Sequence, residues 1–188
     1  GVGSASVRLA DGVTVAALAV VNAAGSPVDP TTGELYATRY GLPGEFPIRA
    51  PDPAELAAWP GPLGELPPGG PFNTVIGVLA TDAALTKAQC SRLAGAGHDG
   101  LARAVRPAHS MTDGDTIFGF ATVGRAAGGG SADGGGAGGS PLELAGLNAV
   151  LAAAADCFTR AVGHAMLAAT GREGAASYAE TFPSAVHL

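Results

Sequence analysis

The sequence has 188 residues, of which 47% are hydrophobic and 14% are charged. This composition is typical of a globular chain and excludes general disorder, because disordered chains carry few apolar and many charged residues. The formal net charge is -6 and the pI is near 5.0. This acidic balance argues against a nucleic-acid partner, since phosphate binding requires clustered cations.

The basic residues, cysteines and apolar runs exclude further classes of protein. Lys87 is the only lysine and no run of arginines is present, so we expect no membrane-binding patch. Cys90 and Cys157 lack metal-type or disulfide-type spacing and predict two buried thiols in a reducing cytoplasm. No signal peptide is visible at Gly1. Polar residues interrupt the apolar residues 144–167, which predict a core helix and not a membrane span.

The first predicted elements are a hairpin and a long connection. Two valine-rich runs, residues 4–9 and 13–22, are joined by a turn containing Asp11-Gly12, which is typical of a β-hairpin. Residues 27–72 contain eleven of the 14 prolines, so helix or strand cannot persist there. We predict an extended, mobile connection whose last part, residues 61–70, is an accessible loop.

A strand, a helix and another strand follow the connection. Residues 74–81 are mostly apolar and predict a buried strand. Thr86 is a suitable N-cap for a helix that ends at Arg106-Pro107. Residues 115–123 predict the next strand. Three poor helix formers within the helix predict close packing against a neighbouring element: Gly95, Gly97 and Gly100.

The last third of the sequence predicts a linker, a long helix and a tail. Residues 124–139 include nine glycines and predict a flexible linker. Residues 142–169 predict an alanine-rich helix, and residues 175–188 a loosely held tail. The order of elements indicates an α/β fold in which helices cover sheets. A four-layer αββα sandwich is compatible with this order, as are other α/β forms.

Thr74 is the first candidate for chemistry. A threonine hydroxyl is a weak nucleophile that needs an adjacent base. If the peptide bond before Thr74 is cut, the freed α-amine has an ordinary pKa near 7.7–8.0 and can act as that base. The alternative interpretation is a threonine that merely begins a β-strand, a position that suits this residue type.

Three further polar residues lie beside predicted strand ends. Asp113 and Asp115 flank a glycine just before a strand, so both carboxylates could point to one site. The alternative is an Asp-Gly turn with one solvated and one capping carboxylate. Asn22 ends a buried strand and could donate its side-chain amide to an oxyanion, or form a local turn.

Metal and cofactor sites are not predicted. Five residues could be considered as metal ligands, but their spacing matches no defensible metal-site pattern, so no metal is expected: His98, Asp99, His109, Asp113 and Asp115. The glycines of residues 128–139 are not followed by the lysine or helix start that a phosphate-binding loop requires.

The residues around Thr74, taken as one run, resemble a known family. Residues 72–89 (FNTVIGVLATDAALTKAQ) closely resemble the self-cleavage segment of the DmpA-type peptidase family. That family includes β-peptidyl aminopeptidases, L-aminopeptidase/D-esterases and endo-type 6-aminohexanoate (nylon) oligomer hydrolases. The match continues in register through residues 98–104 and 107–116, and upstream at residues 3–6 and 20–22.

The resemblance implies an N-terminal-nucleophile hydrolase with a four-layer αββα fold, of which this chain is the C-terminal part. It implies self-cleavage between Asn73 and Thr74. Residues 1–73 would then end the α subunit, and residues 74–188 would form the β subunit. Thr74 would be the nucleophile with its own amine as base, and Asn22 would hold the substrate carbonyl or the nucleophile. Asp113 and Asp115 would orient and polarise the amine and hydroxyl of Thr74.

The resemblance also implies a substrate class and partners. A threonine nucleophile with Asp-Gly-Asp looks more like the nylon-oligomer-hydrolase branch, because the aminopeptidase branch typically uses serine and a different pair. The implied substrates are short amides with a free amine or unbranched ω-amino acid units. Family members carry a large N-terminal portion with an active-site lysine and tyrosine, which no residue here matches. The implied partners are that upstream portion and further copies, as a tetramer or larger.

Two rival functions remain open at this point. One is acyl transfer to an amino-acid amine, as in the fold-related ornithine acetyltransferases, although their lysine-glycine and Ala-Thr junction motifs are absent. The other is a non-catalytic assembly domain, which predicts an uncut chain.

Overall fold

The computed structural model describes residues 1–62, 73–125 and 142–186. Its strands are β1 (Val2–Arg8), β2 (Thr14–Asn22), β3 (Thr74–Ala83) and β4 (Thr116–Arg125). Its helices are α1 (Pro53–Ala58), α2 (Lys87–Ala104), α3 (Leu144–Leu167), α4 (Tyr178–Thr181) and α5 (Pro183–Val186), with a 3-10 helix at Tyr36–Tyr40.

The four strands form one sheet in the order β1-β2-β3-β4. The predicted hairpin is confirmed, since β1 and β2 pair antiparallel, and β2 continues antiparallel to β3. Strand β4 is parallel to β3, because the chain returns through α2 before it enters the sheet again. The end of β2 and the starts of β3 and β4 therefore meet at one end of the sheet.

Helices α2 and α3 cover one face of this sheet and enclose the main core. Val15, Val75 and Leu79 point to that face and are fully buried, together with Leu93 of α2 and Phe158 of α3. Helix α3 is long and apolar enough to span a membrane by composition, but 67% of its apolar window is buried inside the protein. The prediction of a core helix there is confirmed.

The opposite face of the sheet is apolar and open. Side chains on a strand alternate between the two faces, and six large apolar side chains on this face are 44–58% exposed: Val2, Leu18, Val20, Ile76, Phe118 and Phe120. Asn22 and Thr74 are paired across β2 and β3. Each lies two residues along its strand from an exposed apolar residue, Val20 or Ile76, and so points to the same face. Both therefore lie on the open face, at the end where the strand termini meet.

Thr86 begins α2 as predicted. Its hydroxyl accepts the Gln89 backbone N–H, and the Gln89 side chain accepts the Thr86 backbone N–H. Two backbone N–H groups at the start of the helix, which have no carbonyl partner within it, thus gain hydrogen-bond acceptors. The helix ends at Ala104, close to the predicted boundary.

The prediction of close packing holds for two of the three glycines in α2. A Cβ on Gly97 would lie 2.9 Å from Leu79 and Ile117, and one on Gly100 would lie 2.4 Å from the Ala155 carbonyl oxygen. The prediction of close packing is wrong for Gly95, because a Cβ there would meet only the end of the flexible Arg92 side chain, at 3.2 Å.

The described residues 27–62 are mostly irregular, as predicted, but the prediction of an extended, mobile connection is wrong for them. The 3-10 helix and α1 form there, and the segment packs against the C-terminal residues. Val28, Leu35, Tyr178, Phe182 and Ala185 form a second buried cluster with Trp59 against it. The predicted loose tail is therefore wrong too, because Phe182 and Tyr178 bury apolar surface that holds α4 and α5 in place. Residues 63–72, where most of the predicted accessible loop falls, lie outside the described residues.

Other boundaries and the thiols need smaller corrections. Strand β4 extends to Arg125, so Gly124 belongs to the strand and not to the linker. Residues 126–139 of that predicted linker lie outside the described residues. Helix α3 matches its prediction within two residues at each end. Cys157 is buried as predicted, whereas Cys90 is partly exposed.

A buried ion pair joins the connection to α3. The Arg160 guanidinium is 5% exposed and donates to both carboxylate oxygens of Glu45, at 2.6–2.9 Å, and to the Ser6 carbonyl oxygen. His164 Nε2 lies 2.9 Å from the same carboxylate. Burial alone would raise the pKa of Glu45, but the hydrogen bonds from Arg160, the Leu42 N–H and His164 lower it to about 2.

We expect Glu45→Gln to lower the free energy of unfolding at pH 7 by about 2 kcal/mol, because it leaves the buried Arg160 without its counterion. Since the pKa of Glu45 is lowered on folding, the wild-type contribution is present above the ordinary pKa and is lost as pH falls from about 5 towards 2. Denaturant unfolding at pH 7 and pH 3 measures both effects. Arg39→Gln breaks the exposed pair with Asp29 and is the control, with little change expected.

Two glycines of α2 provide a matched pair for testing the helix interface. Gly95→Ala should raise the free energy of unfolding by about 0.5–1 kcal/mol, because alanine favours helix and finds space there. Gly100→Ala should lower it by about 1–3 kcal/mol, because the new methyl group would collide with the α3 backbone. Thermal and denaturant unfolding of the two variants measures the difference, and equal effects would contradict this packing.

Candidate active site

The Asn73–Thr74 junction lies where three element ends meet. Thr74 is opposite Asn22 in the antiparallel register of β2 and β3. Asn73 forms a parallel bridge with Asp113, in the loop that leads into β4. The structure thus brings together all five residues that the sequence singled out: Asn22, Asn73, Thr74, Asp113 and Asp115.

The Asn73 backbone is held on both sides by the loop before β4. Its N–H donates to the Thr112 carbonyl oxygen at 3.0 Å, and its carbonyl oxygen accepts the Gly114 N–H at 2.9 Å. The Thr74 hydroxyl also donates to this carbonyl oxygen. The hydroxyl therefore lies beside the carbonyl group of its own preceding residue, and the Gly114 N–H polarises that carbonyl.

Gly114 is suited to this position because it has no side chain. A Cβ on Gly114 would lie 3.1 Å from the Thr74 hydroxyl oxygen, which is closer than most side-chain carbons approach another atom. A larger residue would press on the hydroxyl. The glycine between the two aspartates thus allows the backbone to approach the junction closely.

Asp113 ties two loops together. Its Oδ1 accepts the Ala24 N–H at 3.0 Å, in the loop after β2, and its Oδ2 accepts the Ser110 hydroxyl at 3.0 Å. The Asn73 side chain reaches the same loop, since its Nδ2 donates to the Ala23 carbonyl oxygen at 3.2 Å. Among the described side chains, Asn73 Oδ1 is a buried oxygen without a hydrogen-bond donor.

The side chain of Asp115 is buried and held at both carboxylate oxygens. Its side chain is 4% exposed, its Oδ1 accepts the Val75 N–H at 2.9 Å, and its Oδ2 lies 2.8 Å from His109 Nδ1. In the uncut chain, the described contacts of the Thr74 hydroxyl include neither aspartate. The Asp115 carboxylate instead fixes the backbone amide that follows Thr74, and the Asp113 carboxylate fixes the loop after β2.

The sequence analysis missed two partners of these aspartates. His109 was considered only as a metal ligand, and Ser110 was not considered for any role. The short spacing of His109 and Ser110 from Asp115 and Asp113 was the available signal, but it does not show which side chains a turn will bring together. Burial and the neighbouring His109 lower the pKa of His98, whose ring centre is 4.9 Å from that of His109.

The chain matches a known peptidase family over most of its length. A sequence profile described as "Peptidase family S58" matches residues 1–179. The chain belongs to peptidase family S58. The family resemblance predicted from the sequence is therefore confirmed.

Curated relatives of the chain are much longer than the chain itself. An uncharacterized aminopeptidase of Mycobacterium tuberculosis is 52% identical over 193 residues, which cover 98% of this chain and 53% of the relative. An uncharacterized aminopeptidase of Mycobacterium leprae is 45% identical over 188 residues, covering 98% of this chain and 49% of the relative. The chain thus spans about half the length of the curated relatives it matches.

Solved structures share the fold. A β-aminopeptidase of a Burkholderia species is 25% identical with a TM-score of 0.55, and the match covers 96% of this chain and 46% of that chain. An L-aminopeptidase D-Ala-esterase/amidase of Ochrobactrum anthropi has a TM-score of 0.51 at 24% identity, over 90% of this chain and 40% of that chain. The latter is described as a variant of the Ntn hydrolase fold. The predicted fold class is confirmed, and the described residues form one sheet and its helical layer.

Removing the Asp115 carboxylate should destabilise the site. Asp115→Ala leaves the Val75 N–H without its acceptor and should lower the free energy of unfolding by about 1–3 kcal/mol. Asp99→Ala, on the exposed side of α2, is the control and should change it by less than about 0.5 kcal/mol. Denaturant unfolding at pH 7 measures both, and equal values would show that the Asp115 contacts do not stabilise the fold.

Proposed function

We propose that this chain carries the nucleophile of a self-cleaving amide hydrolase, in which Thr74 first cuts the bond that joins it to Asn73. The observation that supports it best is the Thr74 hydroxyl beside the Asn73 carbonyl, which also accepts the Gly114 N–H. The aminopeptidase names of the relatives agree with this class of reaction. Membership in a peptidase family favours hydrolysis over acyl transfer.

The cut itself is an acyl shift followed by hydrolysis. The Thr74 oxygen attacks the Asn73 carbonyl carbon, and the oxyanion that develops receives the Gly114 N–H. The C–N bond then breaks, the nitrogen takes the hydroxyl proton, and an ester joins Asn73 to the Thr74 oxygen. Water hydrolyses this ester, which gives a carboxyl group on Asn73 and restores the Thr74 hydroxyl beside a free amine.

The freed amine is the base for turnover. Its ordinary pKa near 7.7–8.0 leaves a substantial neutral fraction at neutral pH. It accepts the proton of the Thr74 hydroxyl as the oxygen attacks a substrate amide, and it returns that proton to the leaving amine. Water then releases the acyl group. Asn22, on the same face of the sheet, donates its amide to the substrate oxyanion, and Asp113 and Asp115 orient the new terminus.

The substrate class follows from the charges at this site and from the family resemblance. Two carboxylates near the nucleophile favour substrates that carry a protonated amine. The combination of Thr74 with Asp-Gly-Asp favours unbranched ω-amino acid amides, including 6-aminohexanoate (nylon) oligomers. We propose short amides with a free amine as the substrate class.

An upstream segment of the same protein completes the site in this proposal. Thr74 and Asn22 lie on the open apolar face of the sheet, so one wall of the substrate site is missing from the described residues. An exposed apolar surface of this kind normally packs against another element. The relatives have a comparable additional length, which supports an upstream segment as the cover. Assembly of the completed protein into a tetramer or larger oligomer is part of the same proposal.

The first experiment is an intact mass under denaturing conditions, with N-terminal sequencing of each species. We expect a fragment that begins Thr74-Val75-Ile76-Gly77, because the hydroxyl is already placed at the carbonyl. Thr74→Ala should stay uncut, whereas Thr74→Ser should still cut, since it keeps the hydroxyl. Cutting in Thr74→Ala would contradict the mechanism.

Two further arms complete this experiment. If the chain alone stays uncut, adding the upstream half of the protein should restore cutting, and failure of both forms would favour a non-catalytic domain. Some substitutions of Asp113 or Asp115 should abolish amide turnover while the cut is retained. That result would separate maturation from catalysis.

A further inference from the structure

The ring of His109 lies between two hydrogen-bond acceptors. Its Nδ1 is 2.8 Å from Asp115 Oδ2, and its Nε2 is 3.4 Å from the His98 carbonyl oxygen. A neutral imidazole carries one N–H and can donate to only one of these oxygens, whereas the imidazolium donates to both. The geometry therefore suits the charged ring, with the Asp115 carboxylate as its counterion.

The backbone at His109 is unusual as well. Within the described residues, His109 is the only residue other than glycine with a positive φ, at 57°. This left-handed conformation is uncommon for a residue with a Cβ, although asparagine, aspartate and histidine adopt it more often than the others. The two ring contacts hold the loop in this conformation, and in return the loop brings the ring to Asp115.

The contacts of His109 lead to the nucleophile in two steps. The Asp115 carboxylate receives the His109 ring on one oxygen and the Val75 N–H on the other. Val75 directly follows Thr74, and its side chain is fully buried in the core. The orientation of the carboxylate therefore affects the backbone that carries the Thr74 hydroxyl.

We propose that His109 is a positioning residue for the Thr74 nucleophile and acts through Asp115. The proposal rests on the proposed function of Thr74. The ring holds the carboxylate in the rotamer that accepts the Val75 N–H. The start of β3 then keeps the position in which the hydroxyl faces the Asn73 carbonyl. His109 itself does not touch the reacting atoms.

Other charged groups surround this ring. His98 and Asp99 lie on α2, and Asp115 lies at the start of β4. Burial and the charge of His109 lower the pKa of His98. Positive charge on the His98 ring is therefore disfavoured, and Asp115 is the carboxylate that contacts His109.

Two substitutions of His109 test whether its N–H donor to Asp115 is what matters. His109→Asn keeps an N–H donor near the Nδ1 position and tolerates left-handed backbone, whereas His109→Leu keeps much of the volume and has no donor. In whichever form of the protein cuts, we expect His109→Asn to release the Thr74 fragment nearly as fast as the wild type. His109→Leu should be slower by about 10-fold or more, because the nucleophile is misplaced.

Two readouts distinguish positioning from a merely structural role. Combined with Asp115→Asn, His109→Leu should slow release little further, because both act on the same contact. In ¹⁵N-labelled Thr74→Ala protein, which stays uncut, His109→Leu should shift the Val75 amide resonance more than His109→Asn does.

The outcomes separate the two proposals. A wild-type protein that never cuts overturns the proposed function, and this role with it. A wild-type protein that cuts, with neither the rate nor the Val75 amide changed in His109→Leu, overturns this role alone. Equal slowing by His109→Leu with and without Asp115→Asn would show that His109 does not act through the carboxylate.

Discussion

The parallel pairing of β3 and β4 is the constraint on which the site depends. It places the loop before β4 beside the residue that precedes β3, and it allows the backbone of Thr112 and Gly114 to bind both sides of Asn73. The hydroxyl, the carbonyl and the N–H donor are thus positioned by main-chain geometry. Side chains also contribute, since Asp113 fixes the loop after β2 and Asp115 fixes the Val75 amide of β3.

Strand β3 contributes one face to the core and the other face to the site. The buried face of β3 packs Val75 and Leu79 against α2 and α3, which fixes the strand in the sheet. The open face carries Thr74 at its end and exposes Ile76 along its length. Because consecutive residues alternate between the faces, firm packing of Val75 also determines the direction in which Thr74 points. Thr74 is therefore positioned by the burial of its neighbour.

The sequence predicted regular elements well where apolar periodicity was strong. The hairpin, β3, the Thr86 cap of α2 and α3 all carry local signals, and each is present. The predictions of a mobile connection and a loose tail were wrong because contacts with distant residues hold both segments in place. Phe182 is ordered by Val28 and Leu35, and Glu45 by Arg160, and neither contact has a local pattern. The candidate residues were noticed at predicted strand ends and the family resemblance implied their roles, whereas the partners His109 and Ser110 depend on a turn that periodicity does not describe.

The pairing of β2 with β3 has a consequence for a molecule cut at the junction. Eight residue pairs, from Val15 with Thr81 to Asn22 with Thr74, join strands on opposite sides of that bond. The two pieces would share one sheet and one core, as the halves of a split protein do. Unfolding would then separate two chains, and the stability of the cut form would increase with protein concentration, unlike that of the uncut chain.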